Sequence, residues 1–165
     1  MEPAVITGQP LGLGIYAFVS ERHTFGTDAV LLSDFAAAKN CDRLVDLGTG
    51  CGIIPLLMLR DGRLSSAAGV EISPEAAELA RRGAEQFPDK LRIFGGDLRS
   101  LPPEEFPKGS ATLVTCNPPY KAPGAGIISS DSICAAARHE ISCTLSDVIS
   151  TAAELLQPGG RFCIC

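Results

Sequence analysis

The sequence predicts an α/β protein with a mostly parallel sheet, and three observations support this. Short apolar runs alternate along the chain with segments of helical periodicity. The segments between successive runs are long enough to form helical crossovers, which parallel strands need. With 45% hydrophobic and 20% charged residues, a chain of 165 residues can bury one sizeable core. We therefore expect a single domain whose sheet is covered on both faces.

Each predicted element has a local signal. Ser73-Pro74-Glu75 combines an N-cap, a first-turn proline and an early acid, which together start a helix. Thr27 is predicted to cap another helix, with Asp28 at the positive end of its dipole. Pro158-Gly159-Gly160 predicts a turn before the last strand. Strands are predicted over residues 15–19, 43–47, 67–72, 91–94, 111–116 and 161–165. Helices are predicted over residues 28–38, 53–60, 74–87 and 145–156.

Composition excludes several classes of protein. No apolar run reaches the roughly 18 residues of a transmembrane helix, so we expect no membrane partner. Met1-Glu2-Pro3 lacks the layout of a secretory signal, which favours the cytoplasm, where the seven cysteines stay reduced. No CxxC pair occurs and His23 and His139 lie far apart, so no metal is expected. With a net charge of -5, the protein would need a local patch to hold a nucleic acid.

The first candidate site is the glycine-rich turn after the strand at 43–47, because ligands of open parallel sheets bind beyond the carboxyl ends of strands. The chain there reads Asp46-Leu47-Gly48-Thr49-Gly50-Cys51-Gly52. The three glycines let a ligand approach bare backbone, and they leave helix N–H groups free for a carboxylate or phosphate. A dinucleotide fingerprint would need glycine at position 53, where this chain has Ile53.

Two acidic residues end the next two strands. Glu71 follows the glycine turn at a spacing where a carboxylate accepts hydrogen bonds from both ribose hydroxyls, which predicts an adenosine-like ligand. Asp97 can accept from an exocyclic adenine amine while Leu98 packs on the ring. Either acid could instead be a solvated residue or a helix cap. The glycine turn, Glu71 and Asp97 follow three successive strands in that order, which favours one shared site.

These motifs resemble those of the class I S-adenosylmethionine-dependent methyltransferases, through VDLGTGCG (45–52), GVEIS (69–73) and GGDL (95–98). The resemblance implies a Rossmann-like sheet with strand order 3-2-1-4-5, counted from the strand at 43–47. It implies S-adenosylmethionine as cofactor and S-adenosylhomocysteine as product, with Asp46 and the glycine turn holding the methionine portion, Glu71 the ribose and Asp97 the adenine. The cofactor-binding residues expected on this basis are Thr27, Asp28, Asp46, Gly48, Thr49, Gly50, Gly52, Glu71, Ile72, Asp97, Leu98 and Asn117.

The motif Asn117-Pro118-Pro119-Tyr120 follows the strand at 111–116 and supplies the candidate catalytic residues. An aromatic amine or amide nitrogen is a poor nucleophile because its lone pair is delocalised. The Asn117 side-chain oxygen and the Pro118 carbonyl can accept its hydrogens and favour a localised lone pair, and the prolines stiffen the loop. Tyr120 can stack on a planar substrate. The alternative is a simple turn with Asn as its cap.

The NPPY motif resembles that of N-methyltransferases acting on planar amines, which modify adenine N6 in DNA or RNA or glutamine N5 in release factors. Three further segments resemble bacterial tRNA (adenine-N6)-methyltransferases: FGTDAVLL (25–32), ARHE (137–140) and LLQPGG (155–160). This implies that residues 1–40 close over the cofactor site of a core at 41–165, and that the substrate is an adenine in tRNA. The alternatives are a release-factor glutamine, or an inactive cofactor-binding protein.

The end of the chain carries a further expectation. Complete class I methyltransferases have seven strands, and this sequence stops inside the fifth, so we expect a domain truncated before its last two strands. The strand at 161–165 would then present an unpaired edge, through which the protein could self-associate.

Overall fold

The computed structural model describes residues 5–118 and 143–165, which form two sheets and four helices. In chain order the elements are β1 (Thr7–Gly12), β2 (Ile15–Val19), α1 (Thr27–Phe35), β3 (Asp42–Leu47), α2 (Ile53–Arg60), β4 (Leu64–Glu71), α3 (Pro74–Ala84), β5 (Leu91–Gly95), a short 3-10 helix (Leu98–Ser100), β6 (Ala111–Cys116), α4 (Leu145–Leu155) and β7 (Leu156–Ile164). β1 and β2 form an antiparallel hairpin, and the other five strands lie in the order β5-β4-β3-β6-β7 with parallel neighbours. The predicted α/β class and mostly parallel sheet are confirmed.

The two faces of the parallel sheet carry separate hydrophobic clusters. Side chains alternate between faces along a strand, so Leu44 packs towards α2 while Val45 packs towards α4. Helix α2 is the most buried helix, and Leu56 lies so close to α3 that a Cβ on Gly83 would come within 2.9 Å of its Cδ1 atom. Among the described residues, no helix has the length and apolar character needed to cross a bilayer.

The N-terminal hairpin and α1 pack on the same face as α2 and α3. The backbone N–H of Tyr16 donates to Gln86 Oε1 (2.9 Å), and Gln86 Nε2 donates to the Tyr16 carbonyl (2.7 Å), which fixes β2 against the end of α3. The end of α1 lies beside the end of α2, since Arg63 follows α2 and donates to the Ser33 carbonyl in the last turn of α1 (3.2 Å).

The first helix differs from its prediction at both ends. Thr27 is not its N-cap: Gly26 occupies that position in extended conformation, and no side chain of the described residues caps the helix. Thr27 is instead the first helical residue. The helix ends at Phe35 rather than at residue 38, because Ala37 adopts a left-handed conformation (φ 43°) that stops helical hydrogen bonding.

Two further differences concern strands. The sequence analysis missed β1, whose six residues are nearly all exposed and therefore lack an apolar pattern. The turn predicted at residues 158–160 lies inside β7, which begins at Leu156, directly after α4. Ala111 pairs with Leu156 but Leu113 pairs with Arg161, and this register shift accommodates the extra residues as a bulge at Gly159 (φ 78°).

Candidate active site

The glycine turn and the Asn117 corner leave neighbouring strands at the same level. Leu47, the last residue of β3, pairs with Cys116, the last residue of β6. The segments that begin at Gly48 and Asn117 therefore leave the sheet side by side, since neighbouring strands are about 4.8 Å apart. The register therefore brings the glycine turn and the corner at Asn117 together at one edge of the sheet.

The ends of β4 and β5 extend the same edge. Glu71, the last residue of β4, pairs with Gly95, the last residue of β5. Four successive strand ends, from β5 across β4 and β3 to β6, thus span about 14 Å. This length suits an elongated ligand lying across the carboxyl ends of the strands.

The three glycines of the turn have different roles. Gly48, Gly50 and Gly52 all have positive φ (69°, 58° and 80°), a conformation that glycine adopts without strain. Among the described residues, a Cβ on Gly48 or Gly50 would meet nothing within 4 Å, whereas one on Gly52 would lie 3.3 Å from the Ala80 Cβ. The first two glycines therefore leave open space beside the backbone, and the third allows close packing of the turn on α3.

Glu71 links the glycine turn to the start of α3. Its Oε2 accepts a hydrogen bond from the Gly50 N–H, and its Oε1 accepts one from the Ser73 N–H, both at 2.8 Å. The residue is only 9% exposed. Each carboxylate oxygen can accept a second hydrogen bond, so Glu71 retains acceptor capacity for ligand hydroxyls.

Asp46 is a buried carboxylate with a hydrogen bond on one of its two oxygens. Its Oδ1 accepts from the Thr115 hydroxyl (2.6 Å), while its Oδ2 and the Thr49 Oγ1 have no hydrogen-bond partner among the described residues. Burial raises the pKa of Asp46 to about 6; the hydroxyls of Thr115 and of nearby Thr49 oppose this rise, and the charge of Glu71 reinforces it. A buried carboxylate without a cation is costly, so the site favours a positively charged donor from a ligand.

The sequence analysis missed Thr115. The available signal was a hydroxyl residue within the apolar run of β6, at the position that pairs with Asp46. Recognising it required the register between the two strands.

Asp97 has a partner that the sequence analysis did not consider. Its Oδ1 accepts from the Arg99 backbone N–H (2.9 Å), which makes Asp97 the cap of the 3-10 helix. The Arg99 guanidinium bonds both carboxylate oxygens, with Nη2 to Oδ2 at 2.6 Å, and these hydrogen bonds lower the pKa of Asp97. The helix-cap alternative is therefore present, and a role towards adenine stays a prediction.

The remaining cofactor candidates lie along this edge or beside it. Ile72 follows Glu71 and is 39% exposed, an apolar surface suited to a flat ring, and Leu98 is half-buried beyond β5. Thr27 and Asp28 are exposed at the start of α1, and their approach to the site stays a prediction.

The segment before α1 also reaches this edge. Arg22 and His23 approach Glu75 in the first turn of α3, with N···O distances of 3.7 and 3.4 Å. This first turn follows Glu71 by a few residues, so the N-terminal segment approaches the site from the side of β4.

Asn117 and Pro118 are half-buried directly after β6. Pro119 and Tyr120 lie outside the described residues, as do His139 and the 137–140 motif. In the part of the chain that the structure describes, no group of three or more His, Cys, Asp or Glu side chains could hold a metal ion.

Two cavities occur away from this edge. One of about 340 Å³ lies at the amino ends of the strands, beside Arg43 and Lys90, and one of about 280 Å³ lies between the 3-10 helix and α4. Neither is lined by the glycine turn or by Asn117.

Comparison with known proteins identifies the family of this chain. Residues 16–165 match the family model described as methyltransferase small domain. The chain is 32% identical over 142 residues to the tRNA1(Val) (adenine(37)-N6)-methyltransferase of Dickeya chrysanthemi, covering 84% of this chain and 54% of the relative. It is 34% identical over 146 residues to the protein of that name from Porphyromonas gingivalis, covering 84% and 56%. The chain thus spans about half the length of these curated relatives.

Solved structures share the fold. The YcgJ protein from Bacillus subtilis superposes with a TM-score of 0.59 at 23% identity, covering 84% of this chain and 49% of that one. Geranyl diphosphate C-methyltransferase from Streptomyces coelicolor A3(2) superposes with a TM-score of 0.60 at 23% identity, covering 84% and 44%. The family model covers the chain from β2 to its last residue, and the sheet of the protein carries the glycine turn at one edge. This protein therefore belongs to the methyltransferase small-domain family.

Proposed function

We propose that this chain provides the catalytic core for transferring a methyl group from S-adenosylmethionine to the exocyclic N6 of an adenine in tRNA. The observation that carries the proposal is the pairing of Leu47 with Cys116, which brings the glycine turn beside Asn117. The relatives named as tRNA1(Val) (adenine(37)-N6)-methyltransferases support tRNA as the substrate class. A protein of this function would act in the cytoplasm.

The residues at the sheet edge fit S-adenosylmethionine, which when bound supplies an electrophilic methyl group on a sulfonium. The free Oδ2 of Asp46 would accept from its α-ammonium group, and Glu71 would accept from the ribose hydroxyls. The open space at Gly48 and Gly50 would admit the ligand against the backbone. Ile72 supplies exposed apolar surface for the base.

The remaining expected contacts belong to this proposal. Asp97 and Leu98 would contact the adenine, Thr49 would contribute its unpartnered hydroxyl, and Gly52 would seat the turn on α3. Thr27 and Asp28 would approach from residues 1–40, closing the site of the core formed by residues 41–165.

The substrate amine would be held by the corner after β6. The Asn117 side-chain oxygen and the Pro118 carbonyl would accept its two hydrogens, which favours a localised lone pair aimed at the methyl donor. Pro119 would stiffen the corner and Tyr120 would stack on the base. No general base is needed before attack, because the product nitrogen can release its proton to solvent. Positioning therefore supplies most of the rate.

The test is methyl transfer from labelled S-adenosylmethionine to bulk tRNA or to a release factor. We expect label in tRNA, located at adenine N6 by nucleoside analysis, and its loss in Asn117→Ala. Asn40→Ala is the matched control, because Asn40 is exposed before β3 at the opposite edge of the sheet. Label in the release factor would instead identify the N5 of a protein glutamine as the methyl acceptor. Cofactor binding without transfer to either would contradict catalysis by this chain.

Self-association through β7 is a separate part of the proposal. Among the described strands, β7 pairs only with β6 and forms one edge of the five-stranded sheet. An unpaired edge offers backbone donors and acceptors to a second copy of the chain. We expect the molar mass from light scattering to rise with protein concentration. A monomeric mass across the full concentration range would contradict this contact.

A further inference from the structure

Thr115 joins the two strands from which the candidate site emerges. It is fully buried in β6, two residues before Asn117, and pairs in register with Asp46 of β3. Its hydroxyl donates to Asp46 Oδ1 at 2.6 Å. Because a carboxylate oxygen only accepts hydrogen bonds, the hydroxyl proton points at Asp46, and this contact sets which oxygen remains for another donor.

The same two strands contain a second threonine–aspartate pair, which shows what a purely structural pair looks like. Thr112 donates to Asp42 Oδ1 (2.8 Å) at the amino end of β3 and β6. Asp42 Oδ2 accepts from the Lys39 N–H (2.8 Å) and from Arg161 Nη2 (2.7 Å). Burial alone would raise the pKa of Asp42, but these hydrogen bonds and the charge of Arg161 hold it below its ordinary value.

Asp46 has the threonine hydrogen bond, but neither a cation nor a backbone N–H on its carboxylate among the described residues. Its Oδ2 has no partner among the described residues, and Glu71, the charged group facing it from β4, is also an acid. The other titratable neighbours are the thiols of Cys51 and Cys116, whose pKa values burial raises to about 11 and about 12. The Thr49 hydroxyl also lowers the pKa of Asp46, but the hydrogen bond within bonding distance of the carboxylate is the one from Thr115. Thr115 therefore holds this carboxylate in place.

We propose that Thr115 is a positioning residue that orients the Asp46 carboxylate so that Oδ2 is presented to the α-ammonium group of the cofactor. The inference rests on the proposed function, because it assumes that S-adenosylmethionine binds at this edge. Thr115 acts through Asp46 and does not itself need to touch the cofactor. It also ties the strand that leads to the glycine turn to the strand that leads to Asn117.

The test compares Thr115→Val, which removes the hydroxyl at constant shape, with Thr115→Ser, which retains it. Thr112→Val is the matched control, because it removes the equivalent hydrogen bond at the far end of the same strands. Two quantities are measured: the Kd for S-adenosylhomocysteine by calorimetry at pH 6.5 and 8, and the pKa of the Asp46 carboxyl by NMR in the ligand-free protein. Thr115→Ala repeats the measurement with a smaller side chain if the valine variant does not fold.

We expect Thr115→Val to weaken binding roughly tenfold at pH 6.5, the scale of one hydrogen bond to a charged group. Its Asp46 pKa should rise by about one unit, so that binding improves towards pH 8, where the carboxylate is ionised. Thr115→Ser and Thr112→Val should bind within about twofold of the parent, since each keeps the hydroxyl that faces Asp46.

Two results would overturn the positioning role. The first is equal affinity and an equal Asp46 pKa in Thr115→Val and the parent protein. The second is a Thr112→Val variant as impaired in binding as Thr115→Val. Failure of the parent protein to bind S-adenosylhomocysteine would refute the proposed cofactor site, and the positioning role with it, whatever the Asp46 pKa.

Discussion

The carboxylate of Glu71 accepts a hydrogen bond from the backbone N–H of Gly50 at 2.8 Å, across 21 positions of sequence. This contact holds the glycine turn against the end of β4. The other carboxylate oxygen of Glu71 accepts from the N–H of Ser73, the residue directly before α3. The acid that the sequence analysis assigned to a ligand therefore also shapes the turn that would hold the same ligand.

Replacing Glu71 tests both contributions. In Glu71→Gln, one carboxylate oxygen becomes an NH₂ group, which faces the N–H of either Gly50 or Ser73 as a second donor. We expect the affinity for S-adenosylhomocysteine to fall at least tenfold, measured by calorimetry. Glu75→Gln is the control, since Glu75 is exposed and its contacts with the described residues Arg22 and His23 are at the surface. Equal affinities in the two variants would contradict the role of Glu71.

Alanine substitutions in the glycine turn separate strain from ligand contact. Gly50→Ala and Gly14→Ala both place a side chain at positive φ in open space, and each should destabilise the fold by about 1 kcal/mol in urea unfolding. Gly52→Ala should cost more, because its Cβ would also press on Ala80. Only the turn variants should weaken cofactor binding. Weaker cofactor binding by Gly14→Ala would show that backbone strain outside the glycine turn is enough to impair binding.

The raised pKa of Asp46 predicts how stability changes with pH. The folded protein holds this proton up to about pH 6 and the unfolded chain only to its ordinary value of 3.8, so the folded state binds more protons between these values. This group therefore makes stability fall as pH rises from about 4 to 6. Asp46→Asn removes the cost of burying an ionised carboxylate, so above pH 6 this variant should be more stable than the parent by on the order of 1–3 kcal/mol. The same variant should bind the cofactor less well.

The measurement is urea unfolding of both proteins from pH 4 to 8. Taking the difference between them cancels the opposite slopes from Asp42, Asp61 and Asp97, whose pKa values are lowered in the folded state. A stability difference that stays constant across this range would mean that Asp46 does not titrate within it.

The ion pair of Arg99 with Asp97 predicts a gain in affinity on mutation. The guanidinium occupies the carboxylate that is expected to accept from the adenine amine. We expect Arg99→Gln to bind S-adenosylhomocysteine roughly two- to fivefold more tightly, because a strong charge-assisted competitor is lost. Arg82→Gln, which alters an exposed pair with Glu78 on α3, should bind as the parent does. Weaker binding by Arg99→Gln would mean that Arg99 orients Asp97 for the ligand.

Several features of the fold were not accessible from local sequence. The hairpin strand β1 has exposed residues on both sides, so no apolar alternation marks it. The bulge in β7 contains Pro158, Gly159 and Gly160, which predict a turn, yet pairing with β6 continues on either side of them. The beginning of α1 depends on the backbone conformation of Gly26 rather than on the hydroxyl of Thr27. In each case pairing or backbone conformation outweighed a local preference.

The amino-acid sequence by itself determined the chemical groups of the site and the strand ends on which they lie, because strand and helix periods are local and parallel strands present their carboxyl ends together. Only the tertiary structure decided how the buried groups are partnered: Glu71 with Gly50, 21 positions apart, and Asp46 with Thr115, 69 positions apart. Hydrogen-bond partners of buried groups depend on strand register and on close packing between distant segments, and no local pattern encodes either one.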